Sequence, residues 1–184
     1  MENFIGIYEN CISSNECSRI INWFEENTHR HKDGQSGGVV NKKDKDSTDI
    51  SLDFKAGIFV SDVIFPALDK CFMQYAEEFR IGELVSTCYN IERYNVQRYF
   101  PNQGFFGEHC ESSARESMDR ILAWTLYLNT VTDGGGTRYT LLNEDIDAVE
   151  GRMVIFPAYW THAHHGIVSP TQTKYIATGW FGFL

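Results

Sequence analysis

Apolar positions along the first third of the chain recur at helical spacing. Ser13 and Glu16 stand at capping-box spacing, and Ile20, Ile21 and Phe24 follow as one stripe, which predicts a helix starting there. A second helix is predicted after Ser61 and Pro66, where Ile64, Leu68, Phe72, Tyr75 and Phe79 repeat every three or four residues. Both stripes read as cover packed on a sheet. Between them, 33–49 (DGQSGGVVNKKDKDSTD) is dense in Gly, Lys and Asp and reads as a long flexible connection, either disordered or a lid.

From Val85 the pattern changes. Stretches 89–100, 121–131, 152–157 and 174–183 are rich in β-branched and aromatic residues, and PNQG, TDGGGT, VEG and SPTQ punctuate them as turns. Within 121–129, Leu122, Trp124, Leu126 and Leu128 share one face, and Ala123, Thr125, Tyr127 and Asn129 the other. Lys174, Ile176, Thr178 and Trp180 likewise share a face of the last strand. Polar faces repeated on several strands predict an open-mouthed barrel or sandwich with a polar pocket and helices on one side.

Length and composition narrow the class. The 184 residues suit a single domain, and 42% hydrophobic with 22% charged residues is a globular composition. The start, MENFIGIYEN, has neither the basic n-region nor the apolar h-region of a secretory signal, and no apolar run approaches membrane-spanning length, so a cytoplasmic protein without membrane partners is expected. Cys11, Cys17, Cys71, Cys88 and Cys110 are odd in number and scattered, which suggests neither a disulfide framework nor a zinc knuckle and leaves reduced, mostly buried thiols. A net charge of −9 weighs against nucleic acid as partner.

Candidate chemistry sits in two histidine-bearing stretches. His109-Cys110-Glu111 on an extended segment would point an imidazole and a carboxylate to one side. About 50 residues later, THAHHG supplies a third donor: His162 and His164 would share a face, with His165 opposite. His164, directly before the turn, is the first choice; His162 is the second, or a partner to the ligand. Two histidines and a carboxylate with open positions opposite is the arrangement of non-haem Fe(II) oxygenases. His29 and His31 lie in polar sequence and read as surface residues.

With these residues in view, the region from Tyr89 to Leu184 resembles the prolyl 4-hydroxylase-like branch of the 2-oxoglutarate and Fe(II)-dependent oxygenases, of the small bacterial and phage-encoded type, and FIGIYENCISSNEC is similar to that group's lead-in helix. The resemblance implies an α+β, mainly β chain. It would form a single domain, 1–184, with a helical lead-in over 1–84 and a double-stranded β-helix (jelly-roll) catalytic core over 85–184. It implies His109, Glu111 and His164 as catalytic iron ligands, with Lys174, ten positions beyond His164, binding the far carboxylate of 2-oxoglutarate. Tyr99, Tyr127, Thr178 and Trp180 match the co-substrate pocket, Thr178 as the hydroxyl beside the basic anchor. An ammonium on an inward face needs an anion to neutralise it, and a dicarboxylate supplies one.

Implied cofactors are Fe(II), 2-oxoglutarate and O₂, with ascorbate as an optional reductant. The implied activity is C–H hydroxylation of a peptide, peptidyl proline first, or of a small molecule, coupled to decarboxylation of 2-oxoglutarate to succinate. Two departures from the family stand out: Glu111 replaces the usual Asp, and Gly134-Gly135-Gly136-Thr137 lacks the acidic residue of the family's Gly-Gly-Glu-Thr run. Retention of a carboxylate ligand argues against a halogenase. A non-catalytic or differently metallated, cupin-like jelly roll is the alternative.

Overall fold

A computed structural model describes residues 2–82, 91 and 93–183. The chain runs β1 (Gly6–Tyr8), α1 (Ser14–Glu26), β2 (Lys32–Asp33), β3 (Thr48–Asp53), α2 (Phe59–Glu78), β4 (Arg93–Tyr99), β5 (Arg120–Tyr127), β6 (Thr137–Tyr139), β7 (Glu144–Ile146), β8 (Met153–Pro157), β9 (His164–Gly166) and β10 (Lys174–Gly182). Seven strands form one antiparallel sheet in the order β1-β8-β5-β10-β4-β3-β2, and a smaller sheet has the order β7-β6-β9. This is the expected α+β, mainly β jelly roll: neighbouring strands are distant in sequence, and both helices lie on the larger sheet. No helix among the described residues is long and apolar enough to cross a membrane.

The capping box at Ser13 and Glu16 is formed in both directions, and α1 buries Cys17, Ile20 and Phe24. The second helix differs from the sequence reading. It starts at Phe59, before Ser61, and Pro66 lies inside it. Ser61 does not cap; its hydroxyl is bonded to the Tyr94 hydroxyl at 2.8 Å beneath the helix. Ile64, Leu68, Phe72 and Tyr75 pack with Val96, Leu122, Trp124, Leu126 and Phe181 to form the main core. Gly179 lets the sheet approach the indole of Trp124, because a Cβ there would meet the ring at 2.8 Å.

The segment expected to be a flexible connection is partly sheet. Its end runs into β3, which pairs with β4 from Thr48↔Arg98 to Asp53↔Arg93. Ile50 and Leu52 are buried toward the helices, whereas Asp49 and Ser51 face the cavity. A strand with a polar inner face looks like a loop when the sequence is read for apolar alternation. Of the strand expected over 89–100, Tyr89, Asn90 and Glu92 lie outside the described residues, as do Cys88 and the 84/85 boundary. The other three expected strands appear as β5, β8 and β10.

Alternation on β5 and β10 runs as read. Thr125, Tyr127, Lys174, Ile176, Thr178 and Trp180 line the cavity between the two sheets. Where the family's run has an acidic residue, a Cβ on Gly136 would collide with the Ile146 carbonyl. The backbone there has no room for a side chain, which accounts for the departure.

Candidate active site

Two segments far apart in sequence meet through a reciprocal backbone pair. The His109 N–H donates to the His164 carbonyl at 3.0 Å, and the His164 N–H donates back at 2.9 Å. Residues paired this way present their side chains on the same face, and the two imidazole centroids lie 4.4 Å apart. Glu111, two positions on, brings its carboxylate to the same point. Donor atoms of His109, Glu111 and His164 all lie within 4.8 Å of one another.

Both imidazoles are held in one tautomer. His109 Nδ1 donates to the Gly107 carbonyl at 2.9 Å, and His164 Nδ1 donates to the His162 carbonyl at 2.8 Å. A carbonyl only accepts, so each Nδ1 carries a proton and each Nε2 is the nitrogen turned toward Glu111. Phe105 stacks on His109 with ring centroids 3.6 Å apart.

Oε1 of Glu111 lies 3.5 Å from both Nε2 atoms, while Oε2 accepts a hydrogen bond from the Trp180 indole at 2.7 Å. Burial alone would raise the Glu111 pKa, but hydrogen bonds and charge from His109 and His164 outweigh it and hold the carboxyl well below the usual range. The glutamate's extra methylene lets one carboxylate reach both the indole and the histidines. Two imidazole nitrogens and one carboxylate oxygen, open on the cavity side, suit a divalent ion of the iron type.

His162 does not join this cluster. It lies in a short 3₁₀ turn rather than on a strand face with His164, and its ring nitrogens bond the Asn3 carbonyl at 2.6 Å and the Thr161 hydroxyl at 3.0 Å. Its contribution is the main-chain carbonyl that orients His164. His165 sits opposite Arg138 on the smaller sheet.

Lys174 is buried at the far end of the cavity. Its ammonium lies 4.7 Å from the centroid of the Tyr99 ring, and no carboxylate among the described residues pairs with it. Burial depresses its pKa to about 8. Gly166 lies beside it: a Cβ there would sit 3.7 Å from the Lys174 nitrogen. Gly166 is two residues beyond His164 on the same strand face, a rise of roughly 7 Å, comparable to the length of a five-carbon diacid.

Tyr127 lines the same space, its hydroxyl bonded to that of Thr137 at 2.8 Å, and burial pushes its pKa up to about 12. The Tyr99 hydroxyl donates to Gln97 Oε1 at 2.8 Å. Thr178 is not beside the ammonium as expected. They stand four positions apart, roughly 13 Å along a strand, and its hydroxyl donates to the Trp124 carbonyl at 2.8 Å.

The sequence reading missed two features. Arg120 bonds the Glu111 carbonyl at 3.1 Å, and its guanidinium carbon lies 3.7 Å from the centre of the Trp180 ring. Strand alternation would turn Arg120 away, but the register of β5 against β10 shifts between Phe181 and Gly182, so parity fails there. The second feature is a buried network. Asp49 accepts from Lys45 at 2.8 Å, Ser47 at 2.7 Å and Gln97 at 3.0 Å. Its only sequence signal was the mixed charge of the segment read as a loop. The whole cavity has a volume of about 660 Å³.

Comparison with known proteins bears on this geometry. Residues 94–182 match the 2OG-Fe(II) oxygenase superfamily. The match runs from β4 to β10 and takes in His109, Glu111, His164 and Lys174. The matched family is one of oxygenases that use Fe(II) and 2-oxoglutarate. The fold is similar to a prolyl 4-hydroxylase from Pseudomonas putida, with 15% identity over 99% of this chain and 94% of that one and a TM-score of 0.74. It is similar to a viral collagen prolyl hydroxylase from Paramecium bursaria Chlorella virus-1, solved as its 2-oxoglutarate complex (19% identity, 98% and 97% covered, TM-score 0.70). A Trichoplax adhaerens prolyl hydroxylase, solved with a hypoxia inducible factor peptide fragment, shares the fold with 17% identity, 98% and 84% covered, and a TM-score of 0.76. No curated protein sequence matches the chain.

Proposed function

We propose that this chain is a 2-oxoglutarate-dependent dioxygenase that hydroxylates a C–H bond of a peptidyl proline and couples that reaction to decarboxylation of 2-oxoglutarate to succinate. His109, Glu111 and His164 would hold Fe(II), and Lys174 would anchor the far carboxylate of the co-substrate. The observation that carries this reading is one cavity with three converging donors at one end and an unneutralised ammonium at the other. A non-catalytic jelly roll has no use for that ammonium, which costs stability unless an anion meets it. Peptide as the substrate class is supported by the fold shared with the Trichoplax enzyme, whose structure holds a peptide.

Bound Fe(II) supplies the oxidising chemistry, and the protein supplies orientation and water exclusion. Backbone carbonyls of Gly107 and His162 aim the two imidazoles. Trp180, with Arg120 beside the same Oε2, leaves Oε1 of Glu111 as the oxygen that would face the ion. Lys174, seated on the Tyr99 ring, would hold the far carboxylate of the diacid. Ascorbate would act only as an accessory reductant that restores Fe(II), and adding it should raise total turnovers without being required for the first.

The test is incubation of the purified chain with Fe(II), 2-oxoglutarate and proline-containing peptides. Succinate release together with one oxygen added to a peptide supports the proposal. Turnover stimulated only by small metabolites ends the peptide assignment.

A further inference from the structure

Cys11 and Cys71 are sixty positions apart in sequence, yet their sulfurs approach to 3.1 Å. Both backbones are fixed. The Cys11 N–H donates to the Gly151 carbonyl at 2.8 Å, in the turn before β8, and Cys71 lies in the middle of α2. Closing the gap to the roughly 2.05 Å of a disulfide requires only a small rotation of two side chains. Neither thiol touches the cavity lined by the metal-site residues. Cys11 is half-exposed and Cys71 is buried, so a reagent in solution meets Cys11 first.

We propose that Cys11 and Cys71 are a dithiol site that closes to a disulfide by exchange with a low-molecular-weight disulfide such as oxidised glutathione. The Cys11 thiolate attacks one sulfur of the small disulfide; an S–S bond forms to Cys11 and one small thiolate leaves. Cys71 then gives up its proton and attacks Cys11, expelling the second small thiol. Two electrons and two protons pass from the pair to the reagent, which is reduced to two thiols. The order of attack agrees with the microenvironment: the hydrogen bond with Cys71 lowers the Cys11 pKa, whereas that bond and burial raise the pKa of Cys71.

The bond would staple the segment after β1 to α2. On the other side of β1 the Asn3 carbonyl bonds His162, and His162 in turn orients His164. Closure therefore restrains one side of the support under the candidate metal site without using any residue of that site.

The experiment uses the full chain, incubated with oxidised glutathione, quenched by alkylation under denaturing conditions and mapped by proteolysis and mass spectrometry. A peptide joining Cys11 to Cys71, lighter by two hydrogens, is expected. A rise in thermal midpoint of roughly 5–10 °C that reductant reverses should accompany it. Amide exchange over residues 3–12 should slow. In Cys71→Ser, Cys11 should keep a glutathione adduct because nothing resolves it, and the reduced variant should melt within a few degrees of the reduced parent. Stable glutathione on Cys11 in the parent, separate alkylation of both thiols, or a cross-link without a rise in midpoint would each overturn the proposal.

Discussion

The Trp180 indole donates to Oε2 of Glu111 at 2.7 Å, and the other carboxylate oxygen is thereby left facing Nε2 of both His109 and His164, 3.5 Å from each. The indole bond, with the Arg120 guanidinium 3.7 Å from the same Oε2, thus sets which oxygen is offered to a metal. Trp180 lies on β10 and Glu111 in the connection between β4 and β5, 69 positions apart.

Trp180→Phe keeps the ring beneath Arg120 but removes the donor. Oε2 then keeps only the longer contact with Arg120 at 3.7 Å, and Fe(II) affinity should fall by roughly 10- to 100-fold, as is typical when a partner of a ligand is lost. Anaerobic metal titration measures this directly. An unchanged affinity would mean that packing, not the hydrogen bond, orients Glu111.

His162 and His164 should separate cleanly. His164→Ala is expected to abolish stoichiometric Fe(II) binding. His162→Gln, which can still donate to the Asn3 carbonyl, should retain one ion per chain, and His162→Ala should retain it with roughly 1–2 kcal/mol lost from folding stability. Metal stoichiometry of the three variants, with their thermal midpoints, checks this.

Lys174 should trade stability for function. Burial depresses its pKa from 10.5 to about 8. Between those values the unfolded chain holds a proton that the folded chain lacks, so this group's contribution to stability rises with pH through that window. Below about pH 8 the folded protein carries the full cost of the buried charge, about 3 kcal/mol. Lys174→Met should therefore melt higher than the parent at pH 7 and lose co-substrate binding. In the parent, 2-oxoglutarate affinity should be level below pH 8 and fall roughly tenfold per unit above it. Calorimetric melting and binding measured across pH 6.5–9.5 test both signs.

Asp49→Ala should cost roughly 3–5 kcal/mol, because it strands the buried Lys45 ammonium and the Gln97 amide. The Tyr99 hydroxyl, bonded to Gln97, loses its support as well, so KM for 2-oxoglutarate should rise more than kcat falls. Denaturant melts and steady-state kinetics separate these effects.

Helices, long strands and the inner face of β10 were legible in the sequence because apolar periodicity encodes them directly: Ile20 and Phe24 on α1, Leu122 to Leu126 on β5, Lys174 to Trp180 on β10. Short or polar-faced strands were not. Thr48–Asp53 buries only Ile50 and Leu52 toward the helices and turns Asp49 inward, so composition disguised it. Arg120 was hidden by a register shift that alternation cannot show. Thr178 was misplaced because sharing a face with Lys174 does not mean lying near it. Cys11 and Cys71 meet only through the packing of α2 against the N-terminal segment, which no local pattern records.

Anaerobic calorimetric titration of 2-oxoglutarate into the chain, with and without Fe(II), bears most directly on the site. One molecule should bind per chain only when metal is present, and binding should disappear in both His109→Ala and Lys174→Met. Equal binding without metal, or undiminished binding in Lys174→Met, would contradict the assignment of these residues.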